Sequence, residues 1–268
     1  MSKYKTVIVV PVWDSTPRQS NYTIQFVEQM RNFCPSNYNR QTDTFDWLLV
    51  IVNNNSECEM TNRFLYELEQ ERDPAIKVIW NESNHGYGKA ANAGLWYGFY
   101  NGEAEYGIVM NNDILFNDPN WVENAFVMYL SENPRWFMGA RLISNNLLTD
   151  FGNGAIPYLE GFALAAHRDA WNVLNGFDEM FVAYFEDTDL SYRASLAGYE
   201  LKQSPAFRWE SDGNLNVAIF RGGSFFHVGG QTGYNTPDFN WTEVTKQSGL
   251  YFKRKWGFSK CPVAEWGK

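Results

Sequence analysis

Two acidic segments carry side chains suited to chemistry on an oxygen nucleophile. One is Asn111-Asn112-Asp113, directly after the apolar run YGIVM; the other is Glu186-Asp187-Thr188-Asp189. A carboxylate and an amide at the end of a buried strand can offer oxygen ligands to Mg2+ or Mn2+, with a diphosphate completing the coordination. A simple Asx turn would use the same residues. In the second segment Asp187 could accept a proton from an attacking hydroxyl, while Glu186 or Asp189 orients the loop. A solvated acidic helix N-terminus has the same composition. NHGYGKAANAG supplies Gly86 and Gly88 for a tight loop, Lys89 as a phosphate contact or a solubilising surface charge, and Asn92 as a loop brace. His227, within GGSFFHVGG, has the ring nitrogens to bind a metal or a phosphate, or simply packs.

Other chemistries lack their residues. Neither GxGxxG nor a P-loop follows a strand here, which argues against a dinucleotide oxidoreductase or a P-loop enzyme. No GxSxG elbow surrounds a serine, and His85 and His167 share no ligand spacing with His227 or with cysteine, so serine and zinc hydrolysis are disfavoured. With 22 Lys+Arg against 31 Asp+Glu the formal charge is -9, which disfavours a phosphate-tracking surface and hence a nucleic-acid partner. Cys34, Cys58 and Cys261 are odd in number and dispersed, the pattern of a reducing compartment, and the expected location is cytoplasmic. MSKYKTVIVVPVW reads as a first strand rather than a signal peptide. No run approaches the ~20 apolar residues of a membrane span, which leaves peripheral association as the membrane option. Aromatic residues make up 17% of the chain, and Trp209, Tyr234, Trp241 and Trp256 could pack in the core or at a homo-oligomer interface, or offer apolar platforms to a ligand.

The elements that must position these groups alternate. Strands are expected over 5–12, 46–52, 75–80 and 106–110, separated by helices over 21–33, around Phe64, Leu65 and Leu68, and from the glycine loop onward. Such alternation implies a mostly parallel sheet between helical layers, with ligand chemistry at the carboxyl ends of its strands. Further along, Asp118 is expected to cap a helix ended by Pro134, WFMGARLI and EGFALAAH read as strands, and FVAYF as a strand or turn. RDAWNVLNGF reads as a short helix ended near Gly176, and a further helix is expected to be capped near Asp187 or Thr188.

In this order VIVVPVW, VIVNNNS, NHGYGKAANAG, YGIVMNND, GFALAAHRDAWNVLNGFDEMF and YFEDTDLSYRASLAGY resemble a family 2 glycosyltransferase of the GT-A fold, across residues 5–230. Bacterial polysaccharide and rhamnosyl transferases are of this kind, and SGLYFKRKWG looks like the C-terminal helix of many relatives. The resemblance implies an α/β architecture: a Rossmann-like, mostly parallel central sheet flanked by helices, with a smaller mixed-sheet acceptor side. Residues 1–268 would form a single domain, with 1–113 mainly nucleotide-binding and 114–268 mainly acceptor-binding. It also implies inverting transfer of a sugar from a nucleotide-diphosphate sugar to a carbohydrate or glycoconjugate hydroxyl, aided by Mg2+ or Mn2+. The implied donor contacts are Pro11, Val12, Lys89, Asn112 and Asn53, the last standing where relatives place an Asp. Asp113 would be the metal acid, with Asn111 in place of the motif's first acid, and His227 a metal or diphosphate contact. Asp187 would be the general base, with Glu186 as runner-up. A noncatalytic sugar-nucleotide-binding protein and a nucleotidyltransferase are the alternatives.

Overall fold

Continuous apolar runs such as VIVV and WLLVIV cannot expose either face, so they form the centre of a sheet covered on both sides. The computed structural model describes residues 3–143, 157–207, 225–227 and 240–257. In chain order these give β1 (Tyr4–Val12), α1 (Pro17–Asn32), β2 (Tyr38–Asn39), β3 (Thr44–Asn53), α2 (Glu59–Gln70), β4 (Ile76–Trp80), α3 (Tyr87–Tyr100), β5 (Tyr106–Met110) and β6 (Ile114–Phe116). A π-helical turn (Glu123–Val127) then leads into α4 (Met128–Glu132), β7 (Trp136–Gly139), β8 (Leu142–Ile143), β9 (Tyr158–Leu159), β10 (Ala163–His167) and α5 (Arg168–Leu174). The last elements are α6 (Glu186–Leu196), β11 (Glu200–Gln203), β12 (Phe225–His227) and α7 (Trp241–Trp256).

The main sheet runs β11-β7-β10-β5-β1-β3-β2, with β4 also paired to β3. β1 lies parallel to β3 and β5, and β3 parallel to β4. β10 is antiparallel to β5 and to β7, so the sheet is parallel at its centre and mixed beyond β5. Alternation along β1 sends Ile8 and Val10 toward α1 and α2, and Val7 and Val9 toward α3, α5 and α6. There are two small ribbons, β6 with β12 and β8 with β9; β6 packs on α1, and β9 on α6 and β11.

Several boundaries differ from the expected ones for local reasons. α1 starts at Pro17 because Thr16 and Gln19 form a reciprocal capping box, with proline in the first turn. Asp118 does not cap the next helix directly: its carboxylate accepts from Asn120 N at 2.9 Å and from Asn124 Nδ2 at 2.9 Å, closing a turn that delays the helix. FVAYF is not a strand, and α6 begins at Glu186 after two residues in the left-handed region, Tyr184 (φ 63°) and Phe185 (φ 68°). No helix among the described residues is long and apolar enough to cross a membrane.

The layer of α3 is set by backbone proximity: a Cβ on Gly98 would lie 2.2 Å from Val7 Cγ2 and 2.4 Å from Val7 Cβ. Both groups are in the packed core, where no flexible end can yield. Gly98→Ala should therefore destabilise the protein by about 3 kcal/mol through overpacking, measured by urea denaturation.

Candidate active site

The carboxyl ends of β1, β3 and β5 open on a cavity of about 310 Å³. Pro11, Val12 and Trp13 line it from the first strand, Asn54 from the loop after β3, and Asn111, Asn112 and Asp113 from the turn after β5. Across it lie Gly161 and Phe162, ahead of β10, and Glu186 and Asp187 in the first turn of α6.

The turn after β5 is held by its backbone, since Asn111 N donates to Phe162 O at 3.0 Å. Asp113 is only 4% exposed. Pairing of β12 with β6 places His227 opposite Ile114, so its Nε2 comes within 3.2 Å of Asp113 Oδ1. The two atoms are not aligned for a hydrogen bond, and each is buried without another partner. The imidazole is held flat against Phe162, ring centroids 4.1 Å apart at 13°. Two orphaned, converging ligand atoms, one oxygen and one nitrogen, fit a divalent cation whose other positions come from phosphate and water. Among the described residues no third His, Cys, Asp or Glu completes a protein cage.

The acid pair is presented by the left-handed Tyr184-Phe185 elbow, a conformation that costs energy for non-glycine residues and must be held by its surroundings. α7 does much of that holding. Ser248 Oγ donates to Ala183 O at 2.6 Å, Tyr251 OH to Asp178 Oδ2 at 2.8 Å, and Lys255 Nζ reaches Asp178 at 2.6 Å and the fully buried Asp189 at 2.7 Å. Asp189 also pairs with Arg193 at 2.8 Å, one helical turn on, so the last acid of the segment is spent on scaffolding.

Asp187 Oδ2 accepts from Gly161 N at 2.9 Å and Oδ1 from Thr188 N at 2.7 Å, which fixes the plane of the carboxylate. Burial raises its carboxyl above the ordinary aspartate value, and these backbone donors pull it part of the way back. Glu186 has fewer compensations. Its Oε2 is buried without a partner, and burial followed by the charge of Asp187 pushes its carboxyl up to about 8. Tyr87 OH donates to Gly161 O at 3.0 Å, bracing the residue whose N–H holds Asp187. Burial first, then the carboxylates of Glu186, Asp187 and Asp113, raise its phenol well above the usual value. Nearby, Glu160 pairs with Arg141 at 2.8 Å.

The structure brings together Pro11, Val12, Asn111, Asn112, Asp113, Glu186 and Asp187 around the cavity, with His227 behind Asp113. Asn53 and Lys89 lie outside that lining. Asn53 donates to Asn62 Oδ1 at 2.8 Å and accepts from Ser56 N at 2.9 Å, so its amide is spent on its own loop. Lys89 is exposed on α3. The neighbouring Asn54 and Asn84 reach the cavity instead, and Asn54 Oδ1 accepts from Asn81 Nδ2 and from His85 N, each at 3.0 Å. Asn92 does brace a loop, exchanging hydrogen bonds with the Phe177 backbone at 2.8 and 2.9 Å. Trp241 stands at the cavity with Trp13 and Tyr184 at centroid distances of 6.4 and 5.9 Å; Trp256 instead serves the scaffold, donating to Asp189 at 2.9 Å. Trp209 and Tyr234 lie outside the described residues, as does Cys261. Asp14, Tyr87 and Gly161 were not singled out by sequence reasoning. Asp14 had a usable signal, being the first acid after a strand end.

Solved structures of low identity share this architecture. The mannosyltransferase PcManGT from Pyrobaculum calidifontis, in complex with GDP-Man and Mn2+, superposes with a TM-score of 0.53 at 19% identity, covering 75% of this chain and 55% of that one. GalNAc-T7, with UDP, GalNAc and Mn2+, gives 0.55 at 13% identity over 74% and 41%. TarS 1-349 of S. aureus gives 0.51 at 15% identity over 95% and 72%. This chain thus spans about half of the first two proteins. No curated protein matches it by sequence. The model of Glycosyl transferase family 2 matches residues 8–191, well over half of the chain, and the chain belongs to that family.

Proposed function

We propose that this protein transfers a sugar from a nucleotide-diphosphate sugar to a hydroxyl of a carbohydrate or glycoconjugate acceptor, with inversion at the anomeric carbon and Asp187 as general base. The observation that carries this reading is the convergence of Asp113 and the Glu186–Asp187 pair on one cavity at the carboxyl ends of parallel strands. In this reading residues 1–113 mainly bind the donor and 114–268 mainly the acceptor. Two of the fold relatives are named with GDP-Man, a nucleotide-diphosphate sugar, and with UDP, a nucleoside diphosphate such as sugar transfer would release.

Asp187 has two oxygens oriented by Gly161 and Thr188: Oδ1 accepts from both the N–H and the hydroxyl of Thr188, while Oδ2 accepts from Gly161 N alone and keeps a lone pair for an acceptor hydroxyl. Proton removal as the hydroxyl attacks makes that oxygen nucleophilic, and the proton ends on Asp187. Glu186 holds its own proton below pH 8, which spares the cavity one negative charge where a diphosphate must bind. Asp113 and His227 would hold Mg2+ or Mn2+, which when bound offsets the negative charge of the departing diphosphate. Trp13, Tyr184 and Trp241 offer apolar faces to a sugar at the cavity mouth.

The deciding experiment is a panel of nucleotide sugars and acceptors with Mg2+ or Mn2+, with product mass and anomeric configuration read by mass spectrometry and NMR. A product heavier by one sugar residue and inverted at its anomeric carbon is expected. Transfer of a phosphate or nucleotidyl group would overturn the assignment, and binding without turnover would indicate a noncatalytic module. Asp187→Asn should lower kcat by about 10²–10⁴-fold with donor affinity retained, by loss of the base. Gly161→Ala would put a Cβ 3.2 Å from Asp187 Cβ and 3.4 Å from Oδ2. Displacing the carboxylate should cost about 10- to 100-fold in kcat with little change in thermal midpoint.

The protonation of Glu186 has a thermodynamic signature. A carboxyl raised from 4.5 to about 8 on folding stabilises the native state fully below pH 4.5 and loses that contribution as pH rises through 8. Glu186→Gln, which keeps the neutral shape, should therefore raise the thermal midpoint relative to wild type more at pH 9 than at pH 5, checked by calorimetry.

A further inference from the structure

Asp14, the second residue beyond β1, is completely buried and lies outside the cavity lining. Its Oδ2 accepts from Thr23 Oγ1 of α1 at 2.6 Å and from Thr61 Oγ1 of α2 at 2.8 Å. Its Oδ1 accepts from Asn112 Nδ2 at 3.2 Å, and the same amide donates to Thr23 Oγ1 at 2.7 Å. The backbone of Asp14 is equally committed: its N–H donates to Ser56 Oγ at 3.0 Å, and its carbonyl accepts from Glu57 N and Cys58 N, each at 2.9 Å. One side chain and its peptide groups therefore tie the loops after β1, β3 and β5 into a single node. Asn112 is the residue immediately before Asp113, and the backbone of the turn they share is anchored by Asn111 N donating to Phe162 O.

We infer that Asp14 is a positioning residue for the cation site: by pinning the Asn112 side chain from inside the protein, it fixes the turn that presents Asp113 opposite His227. The inference rests on the reading of Asp113 and His227 as cation ligands. The chemistry of the node demands a carboxylate. An amide at position 14 with its oxygen toward Thr23 and Thr61 sets its NH2 against the NH2 of Asn112, donor against donor, and breaks the direct link from position 14 to the turn, leaving the Asn112 amide its bond to Thr23.

The test is direct binding of Mn2+ alone to the full chain, followed by water-proton relaxation, alongside thermal midpoints. Wild type should bind, and Asp113→Ala should lose that binding. Asp14→Asn and Asn112→Ala should each weaken it about tenfold. Thr61→Val, which removes another arm of the node, should lower the midpoint and leave Mn2+ affinity as in wild type. Equal binding by wild type and Asp113→Ala would remove the cation reading and this inference with it. Loss in Asp113→Ala but wild-type affinity in Asn112→Ala would overturn the positioning role alone, and Asn112→Ala answers that question even if Asp14→Asn fails to fold. Weakening in Thr61→Val equal to that in Asp14→Asn would reduce the node to general stability.

Discussion

Carboxylates withdrawn from water at one end of a parallel sheet are the constraint around which this molecule is arranged. Asp14 and Asp113 are almost without exposure, Glu186 and Asp187 are half-buried, and an isolated buried carboxylate is too costly to keep ionised. Each finds a different resolution. Burial raises the carboxyl of Asp14, and two hydroxyls and an amide pull it back. Asp187 leans on backbone N–H groups that pull its raised carboxyl part of the way back, whereas Glu186, whose Oε2 has no partner, is pushed up to about 8. Asp113 meets an imidazole and retains an oxygen without a hydrogen-bond partner.

Such arrangements hold only on a rigid frame. The strained elbow ahead of α6 would relax if free, and α7 prevents it through Ser248, Tyr251 and Lys255, which tie the preceding loop and the helix to a distant part of the chain. Lys255, partly buried, bridges Asp178 and the fully buried Asp189, and Tyr251 on the one and Arg193 and Trp256 on the other complete the partners of the two acids. The half of the acidic segment that lines the cavity is thereby separated from its structural half. Glu186 and Asp187 face the cavity, while Asp189 faces the scaffold.

Much of the frame was legible in advance because it depends on short-range patterns. The apolar runs of β1, β3 and β5 predict buried parallel strands, and the polar tripeptide after YGIVM falls at a strand end, where the sheet opens. Helix starts were less legible. The capping box at Thr16 lies ahead of the apolar periodicity of α1, and the start of α6 depends on an elbow stabilised from across the fold.

The residue inventory and its spacing determined by themselves the alternating fold, the family resemblance and the acids available for chemistry. The tertiary structure alone decided how those acids are divided. Asn53 and Asn54 look equivalent in sequence, yet the first is spent on its loop and the second reaches the cavity. Asp14 gains its meaning from Thr61 and Asn112, far along the chain. Periodicity arises between near neighbours and is written in the local sequence. Desolvation and hydrogen-bond partnership arise between groups that only folding brings together.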